Sequence, residues 1–322
     1  MTPDPDSRTA PGRVLLVFLD GVGIGVEDPA ANPFAAARLP RLRELLGGRL
    51  PLRGQLPLRG QLDDGGRIES ARAVLVAADA TLGVPGRPQS GTGQTALLTG
   101  VNAPREFGRH FGSWVPTTLR PVLAAESLLA RALRAGRSAA FANAHPIARF
   151  GLEAFVGRRP AAPPWAAHAV GLMNRDRDEL RAGRAVASSI TNERWRSDLR
   201  ADVPEVSAEQ AGRNLAALAA GHDVTLFAHY DTDAVGHTGD LSAAVAALER
   251  VDAFLGGVAD ALPADALLVV ASDHGNVEDV SGGHTLNPVP VIAAGRGREL
   301  LAEQVRDLTH VTPAILGLLS IP

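Results

Sequence analysis

Short, unbroken apolar runs recur along the chain and alternate with longer stretches in which apolar residues return every three or four positions. A short unbroken apolar run is typical of a strand that is covered on both faces in a parallel sheet. The longer amphipathic stretches between these runs predict helices. Strands are predicted at 13–19, 73–78, 138–142, 224–228, 266–271 and 289–293. This alternation predicts an α/β fold with a doubly wound, mostly parallel sheet.

Helices are predicted at 32–46, 126–135, 207–220, 242–261 and from 312 onwards. One segment of the chain lacks this alternation of strands and helices. Residues 145–206 instead contain Trp165, Trp195, several prolines and many arginines without a regular period. We therefore expect one domain formed by 1–144 and 207–322, with a small inserted cap or lid formed by 145–206.

Residues 50–61 are a tandem duplication that reads LPLRGQLPLRGQ. Two copies are too few for a solenoid, which needs at least about three repeats. We expect this duplication to form an inserted hairpin or loop at the surface.

Polar side chains follow several of the predicted strands. Because ligands of open α/β sheets bind at the carboxyl ends of the strands, we expect these side chains to lie together at one edge. Carboxylate oxygens and imidazole nitrogens in one site suit Zn²⁺ or Mn²⁺. The candidate ligands are Asp20, Asp233, His237, Asp273, His274 and His284.

Ser90 lies in a stretch, PQSGTGQTALLTG at 88–100, that changes from a glycine-rich loop to a helical pattern. This places the hydroxyl at or just before a helix N-terminus, where free N–H groups and the helix dipole favour an anion. The same position is also that of an ordinary N-cap serine. The pattern alone leaves both roles open.

The composition limits the chemistry that the chain can perform. It contains no cysteine and no lysine, which excludes thiolate metal sites, Schiff-base chemistry and the lysine of a P-loop. A net charge of −3 argues against nucleic acid as a partner. The apolar run at 14–19 is too short for a signal peptide or a membrane span, so we expect a cytoplasmic protein without a membrane partner.

Five motifs resemble those of the alkaline phosphatase superfamily. They are FLDGVG, PQSGTGQTALLTG, DAVGHTG, ASDHGN and GHTLNPVP. Within that superfamily they most resemble the catalytic domain of cofactor-independent phosphoglycerate mutase. The resemblance covers both ends of the chain but not the middle. It implies an alkaline phosphatase-like fold and two divalent metal ions, Mn²⁺ or Zn²⁺, that act on a small phosphorylated substrate.

The resemblance also assigns roles to single residues. One ion is assigned to Asp233, His237 and His284. The other ion is assigned to Asp20, Asp273 and His274. Ser90 is placed between the ions, as the nucleophile and a metal ligand. Two neighbouring cations can hold a serine oxygen and share the oxygens of a phosphoryl group, which suits an in-line displacement.

Two positions leave alternatives open. The sequence AHYDTD contains a second carboxylate, so Asp231 is an alternative to Asp233 as the metal ligand. Asp233 keeps the family's four-residue spacing to His237 and is the preferred ligand. Thr92 is a second hydroxyl beside Ser90, and Ser90 is preferred because it keeps the family's spacing to the end of the motif.

Substrate-binding groups are harder to assign. The lysine that helps bind phosphate in the mutases has no counterpart here, so an arginine has to replace it. Arg109 and the adjacent His110 are candidates, and His145 is a further histidine that can face the site. Asn276 and Glu278 follow the predicted ligands closely and suit hydrogen-bonded support of the ligating imidazoles.

The size of the inserted segment determines the expected reaction. A mutase has to hold a phosphoserine away from water while the substrate turns over, which calls for a large closing domain. About sixty residues can select an anionic substrate through arginine contacts but cannot seal the site. We therefore expect phosphomonoester hydrolysis through a phosphoserine at Ser90. The alternatives are a phosphomutase of the phosphoglycerate mutase type and a metal-binding protein without catalytic activity.

Overall fold

The computed structural model of the protein describes residues 5–56 and 66–322. The described strands form one seven-stranded sheet and one two-stranded sheet. The large sheet contains β1 (Arg13–Leu19), β2 (Arg67–Glu69), β3 (Ala73–Ala78), β4 (Ala139–Phe141), β7 (Val224–His229), β8 (Ala266–Ala271) and β9 (Val289–Gly295). The small sheet pairs β5 (Asn143–Ala144) with β6 (Val186–Ala187).

The order of the strands in the large sheet is β2-β3-β9-β8-β1-β7-β4. β8, β1, β7 and β4 run parallel, whereas β9 lies antiparallel between β8 and β3. The expected α/β fold with a mostly parallel sheet is confirmed, and each of the predicted apolar runs forms a strand. The additional strand β2 was not predicted, because three residues at the edge of a sheet are too few to give a periodic signal.

Helices connect the strands and cover the sheet. The described α-helices are α1 (Pro33–Ala36), α2 (Pro40–Leu45), α3 (Ser90–Thr99), α4 (Ala103–Phe107), α5 (Arg120–Glu126), α6 (Leu128–Arg134), α7 (Ile147–Phe150), α8 (Glu153–Val156), α9 (Ala162–Ala169), α10 (Arg177–Arg181), α11 (Glu193–Ser197), α12 (Ala208–Ala219), α13 (Asp231–Gly236), α14 (Leu241–Ala261), α15 (Arg298–Gln304) and α16 (Val311–Leu318). None of these helices has the length and apolar character needed to cross a membrane.

Two helix predictions were wrong in their extent. The helix predicted at 32–46 is divided into α1 and α2, because Pro40 starts a new helix and disfavours a helical conformation at Leu39 before it. The helix predicted at 126–135 starts at Leu128, because Ser127 is extended and its hydroxyl caps the N–H of Ala130. Residues 120–126 form the separate helix α5.

Apolar residues of β1 alternate between two cores. Leu15 and Val17 face the core that includes residues of α12 and α14. Leu16 and Phe18 face the core that includes residues of α3, α6 and α16. Burial of each such side chain contributes about 1.5–3 kcal/mol to stability. Because both faces are covered, β1 shows an unbroken apolar run in the sequence.

The segment 145–206 contains α7 to α11 and β6, and its two parts pack differently. Val156, Ala162 and Ala166 join the core on the α3 face of the sheet. Later residues form a separate small cluster with Trp195 and Leu180. The first part of the segment is therefore built into the main core, next to α3.

The first copy of the duplication is not the surface loop that we expected. Leu50 and Leu52 are fully buried, and Leu56, which begins the second copy, is also buried. The guanidinium of Arg53 donates a hydrogen bond to Asn287. The rest of the second copy, at 57–61, lies outside the described residues.

Candidate metal centre

The strands β1, β7 and β8 end together at one edge of the sheet. Leu19, the last residue of β1, lies opposite His229, the last residue of β7. The N–H of Asp20 donates to the carbonyl of His229 at 2.9 Å, which extends the ladder by one residue. Asp20 after β1 and Asp273 after β8 therefore emerge side by side, as expected for a ligand site at this edge.

Three of the predicted ligands form a cluster that we call the buried group: Asp20, Asp273 and His274. One ligand atom from each lies within 4.8 Å of the others. Nε2 of His274 is 3.4 Å from Oδ1 of Asp20 and 3.6 Å from Oδ2 of Asp273. Nδ1 of His274 faces the carbonyl of Gly275 at 3.3 Å, so it carries the proton and the Nε2 lone pair points into the group.

The electrostatics of the buried group suit a cation. Oδ1 of Asp20 and Oδ2 of Asp273 are buried without a hydrogen-bond partner. Burial, together with the charge of Asp20, raises the pKa of Asp273 to about 8. Burial and the charge of Asp233 raise the pKa of Asp20 well above its usual range. Buried carboxylates with free oxygens need a compensating charge, which a divalent ion would supply.

The other three predicted ligands form the outer group: Asp233, His237 and His284. Nε2 of His237 lies 3.1 Å from Nε2 of His284 and 3.3 Å from Oδ2 of Asp233. Nδ1 of His284 donates to the carbonyl of Pro88 at 2.9 Å, so its Nε2 lone pair faces the group. Burial opposes ionisation of Asp233, but its interactions with His284, His274 and Asn276 lower its pKa to about 2. An ionised carboxylate beside facing imidazole nitrogens also fits a metal ion.

The two groups are in direct contact. The rings of His274 and His284 stack with their centroids 3.9 Å apart and their planes at 23°. The structure therefore brings all six predicted ligands into one centre with two adjacent places for a cation.

Ser90 is the first residue of α3, a helix of ten residues, and its side chain is buried. Its Oγ lies 2.9 Å from Nε2 of His274. Gln89, and not Ser90, occupies the N-cap position, so the N-cap role that the sequence left open is not the one Ser90 takes. The hydroxyl is held between the buried group and a helix N-terminus, where an anion is favoured.

Two glycines allow the backbone to approach the centre closely. Gly21 has a φ of +67°, and a Cβ there would lie 2.6 Å from Oδ1 of Asp233. A Cβ on Gly91, next to Ser90, would lie 2.1 Å from the carbonyl oxygen of Trp114. A side chain at either position would displace Asp233 or the loop that packs on α3.

The alternative residues Thr92 and Asp231 have other partners. Oγ1 of Thr92 accepts a hydrogen bond from the N–H of Phe111 at 3.1 Å. The carboxylate of Asp231 pairs with Arg194 at 3.0 Å and lies 3.7 Å from Arg250. The geometry therefore favours Ser90 and Asp233, as the sequence spacing did.

The predicted substrate-binding residues take their contacts elsewhere. The guanidinium carbon of Arg109 lies 6.0 Å from the ring centre of Phe107. Nε2 of His110 is 3.1 Å from the carbonyl of Val84, and burial lowers the pKa of His110. A role of Arg109 and His110 in substrate binding stays a prediction.

His145 is packed between aromatic rings. Its ring stacks on Phe141 with centroids 5.8 Å apart and meets Phe155 edge-on at 5.1 Å. Burial lowers its pKa to about 4. These aromatic surroundings favour the neutral imidazole of His145, the residue at which the segment 145–206 begins.

Glu278 and Asn276 support the centre, but not by the expected contacts with imidazoles. Glu278 is buried and accepts hydrogen bonds from the N–H groups of Gly23 at 2.9 Å and Asn276 at 2.7 Å. Nδ2 of Asn276 donates to Oδ1 of Asp233 at 2.6 Å. These residues thus hold the loops and one carboxylate in place.

Two further polar residues at the centre were missed in the sequence. Nε2 of Gln94 donates to Oδ2 of Asp20 at 3.1 Å. Arg87 is exposed and donates to the carbonyl of Gly282 at 3.2 Å, on the loop that leads to His284. The available signal was their position, because both lie within four residues of Ser90, Gln94 in the same motif and Arg87 directly before it.

A family model matches the C-terminal part of the chain. The model of the metalloenzyme superfamily matches residues 198–322, which include five of the six predicted ligands. This part of the chain is therefore similar to the metalloenzyme superfamily. The superfamily resemblance of the motifs and the expected class of metal-dependent enzyme are thereby confirmed.

Curated relatives match a limited part of the chain. The 2,3-bisphosphoglycerate-independent phosphoglycerate mutase of Dinoroseobacter shibae is 43% identical over 131 residues. That of Agrobacterium fabrum is 43% identical over 132 residues. Each alignment covers 37% of this chain and 25% of the relative. The chain thus matches only a quarter of the length of these relatives.

Solved structures match nearly the whole chain. The alkaline phosphatase of the Antarctic bacterium TAB5 has a TM-score of 0.53 at 13% identity, covering 98% of this chain and 99% of its own. The alkaline phosphatase of Thermus thermophilus has a TM-score of 0.52 at 13% identity, covering 98% and 93%. At this identity the likeness shows the fold alone. The chain has an alkaline phosphatase-like fold.

Proposed function

We propose that this chain is a metal-dependent phosphoryl-transfer enzyme that works through a phosphoserine at Ser90. The observation that carries the proposal is the 2.9 Å contact between Oγ of Ser90 and Nε2 of His274, where the buried and outer groups meet. A hydroxyl at a helix N-terminus beside two cation sites suits an in-line phosphoryl transfer.

The buried group would hold one divalent ion and the outer group the other. When bound, such ions favour the alkoxide form of the serine and neutralise the oxygens of the transferred phosphoryl group. Carboxylates and imidazoles in both groups suit either Mn²⁺ or Zn²⁺.

The chain's own residues position the reacting groups. Ser90 is only 4% exposed, so α3 and the adjoining loop keep Oγ in one place and limit access of water. The side chain of His237 is 51% exposed, which marks the outer group as the entrance for substrate. Arg87 donates a hydrogen bond to the carbonyl of Gly282, on the loop that leads to His284 at this entrance. We propose that Arg87, and not Arg109, replaces the lysine of the mutases in binding an anionic group.

A phosphoserine has two fates, and the relatives support one of them. Return of the phosphoryl group to a second oxygen of the same molecule gives a mutase, whereas transfer to water gives a hydrolase. The curated relatives are named as phosphoglycerate mutases, which favours the mutase over the hydrolysis that we expected from the sequence. We therefore propose phosphomutase action on a small phosphate ester as the first candidate.

Hydrolysis is the second candidate, and the packing of 145–206 favours it. The first part of this segment belongs to the main core, and Val186 and Ile190 of the later part join the core on the other face of the sheet, so only a small portion around Trp195 is left to act as a lid. A small lid leaves a phosphoserine open to water.

Incubation with 3-phosphoglycerate and Mn²⁺, followed by ³¹P NMR, tests the proposal. Formation of 2-phosphoglycerate without inorganic phosphate supports the mutase. Release of inorganic phosphate supports the hydrolase. If a panel of phosphate esters gives neither product and no phosphate on Ser90, although two metal ions are bound, phosphoryl transfer by this chain is contradicted.

A further inference from the structure

Gln94 connects the metal centre to the segment 145–206. It lies in α3, four residues after Ser90, so both side chains project from the same face of the helix. Its side chain is almost completely buried, with 1% exposure. A buried amide has to satisfy both its donor and its acceptor within the protein.

The two ends of the Gln94 amide bind to different parts of the molecule. Nε2 donates to Oδ2 of Asp20 at 3.1 Å. Oε1 accepts a hydrogen bond from the backbone N–H of Ala162 at 3.2 Å. The orientation of the amide is fixed, because a carboxylate can only accept and a peptide N–H can only donate.

The Ala162 contact is at the start of α9 (Ala162–Ala169). The first N–H groups of a helix have no partner within the helix, and the N-cap residue Ala161 supplies no side-chain acceptor. Ala162 is fully buried against the core next to α3. Gln94 thus takes the place of a helix cap for an element of the inserted segment.

The Asp20 contact determines which carboxylate oxygen faces the buried group. Oδ2 is occupied by Gln94, whereas Oδ1 has no hydrogen-bond partner and lies 3.4 Å from Nε2 of His274. Rotation of this carboxylate would break the hydrogen bond to Gln94. Hydrogen bonds of this kind set the orientation and affinity of metal ligands.

We infer that Gln94 is a positioning residue that orients Asp20 for its metal ion and couples occupation of the buried group to the position of α9. A glutamine serves here because glutamate lacks the donor, apolar residues lack both groups, and asparagine is shorter by one methylene. The inference rests on the proposed metal centre but not on the reaction that the centre catalyses.

Two variants distinguish the hydrogen bond that Gln94 donates to Asp20 from the one that it accepts from Ala162. Gln94→Met keeps the approximate volume and removes both hydrogen bonds. Ala162→Pro removes only the N–H that binds Gln94, at the first position of a helix, where proline is tolerated. The extended conformation of Ala161, with φ −69° and ψ 160°, is also compatible with a following proline.

Metal titration of the metal-free protein, by calorimetry with Mn²⁺ alone, measures the Asp20 end. We expect Gln94→Met to weaken one of the two sites by about 10–100-fold, with little change at the other. Ala162→Pro should bind both ions with affinities within about twofold of wild type. A structural role of Gln94 alone would lower the melting temperature of both variants without a selective loss at one site.

Hydrogen exchange of the peptide that covers 160–170 measures the α9 end. In the wild type, Mn²⁺ should increase the protection of this peptide, and both variants should lose that increase. Unchanged affinity at both sites in Gln94→Met, or an α9 response to Mn²⁺ that persists in it, would overturn the inference. If Gln94→Met does not fold, Gln94→Asn replaces it with the same expected results.

These outcomes are distinct from a failure of the proposed function. If no phosphate ester is turned over but the selective loss of metal affinity occurs, the role of Gln94 stands and the reaction is wrong. If turnover occurs with two ions bound and Gln94→Met behaves as wild type, the reaction stands and the role of Gln94 is wrong.

Discussion

The metal centre and the segment 145–206 differ in what fixes their side chains. In the centre, Asp273 and His274 are fully buried directly after a central strand, and Glu278 holds the surrounding loops by hydrogen bonds from backbone N–H groups. In the segment, many charged residues are exposed. Its ion pair between Arg181 and Asp202 has side chains that are 52% and 84% exposed. Such exposed pairs contribute at most about 1 kcal/mol each.

From this difference we expect separate roles for the sheet edge and for the segment 145–206. At the sheet edge, strand register and buried hydrogen bonds fix the positions of the side chains that we propose to react. The segment is composed of short helices, which depend on packing against the domain for their stability. We therefore expect changes at the sheet edge to affect chemistry and metal binding, and changes in the segment to affect stability and substrate selection.

The largest expected effect is at Ser90. Ser90→Ala should reduce turnover by about 10⁴-fold or more, because the nucleophile is removed, while metal binding through the six side chains persists. Steady-state kinetics and metal analysis of the purified variant measure both. Thr92→Ala is the matched control and should retain most of the activity. Loss of activity in the Thr92 variant together with an active Ser90→Ala would transfer the nucleophile to Thr92.

The second expected effect compares two neighbouring carboxylates. Asp233→Asn should weaken the outer metal site by about 100-fold or more, because a charged ligand is lost. Asp231→Asn should keep two ions per chain, because Asp231 pairs with Arg194 and not with the metal centre. Calorimetric titration with Mn²⁺ distinguishes them. The assignment of Asp233 fails if the two variants lose metal affinity equally.

A smaller effect is expected at the entrance of the site. Arg87→Ala should raise KM by about tenfold with a smaller change in kcat, because it removes one charged contact to the substrate anion. Arg109→Ala serves as the matched control and should leave KM within about twofold. The opposite result would restore the assignment of Arg109 made from the sequence.

The smallest expected effect is the pH dependence of stability that arises from His145, the first residue of the segment 145–206. The pKa of His145 is about 4 in the folded protein instead of the usual 6.5, so between these values the unfolded chain binds the proton more readily. The stability contributed by the neutral ring is therefore complete above pH 6.5 and is lost as the pH falls towards 4. Between pH 7 and pH 5 the loss should be on the order of 2 kcal/mol.

His145→Phe removes this proton and keeps an aromatic ring between Phe141 and Phe155. Urea unfolding of both proteins at pH 7 and pH 5 measures the difference. The variant should lose less stability than the wild type on acidification. Equal losses would show that burial of a neutral His145 does not contribute.

The clustering of the proposed ligands could be predicted from the sequence, because each of them follows an apolar run or lies in a short glycine-rich motif. Asp20, Asp273 and His274 are fixed by the ends of β1 and β8, which local pattern reveals. The contacts of Gln94 and Glu278 could not be predicted, because each side chain binds residues that lie far apart in the sequence. Gln94, for example, bonds to Asp20 and to Ala162.

The segment 145–206 was predicted only in outline. Its α-helices contain between four and eight residues, too few for a clear helical period. Its division between the main core and the Trp195 cluster arises from tertiary contacts that no local pattern encodes. The length of the segment led us to expect a hydrolase, because a short segment seals the site poorly. The names of the curated relatives instead favour a mutase.

Anomalous diffraction from crystals grown with Mn²⁺ tests the central claim most directly, because it locates the ions independently of any reaction. We predict two peaks per chain, one bounded by Asp20, Asp273 and His274 and the other by Asp233, His237 and His284, with Oγ of Ser90 next to them. A single peak in the presence of excess Mn²⁺, or peaks away from these side chains, would contradict the two-metal account.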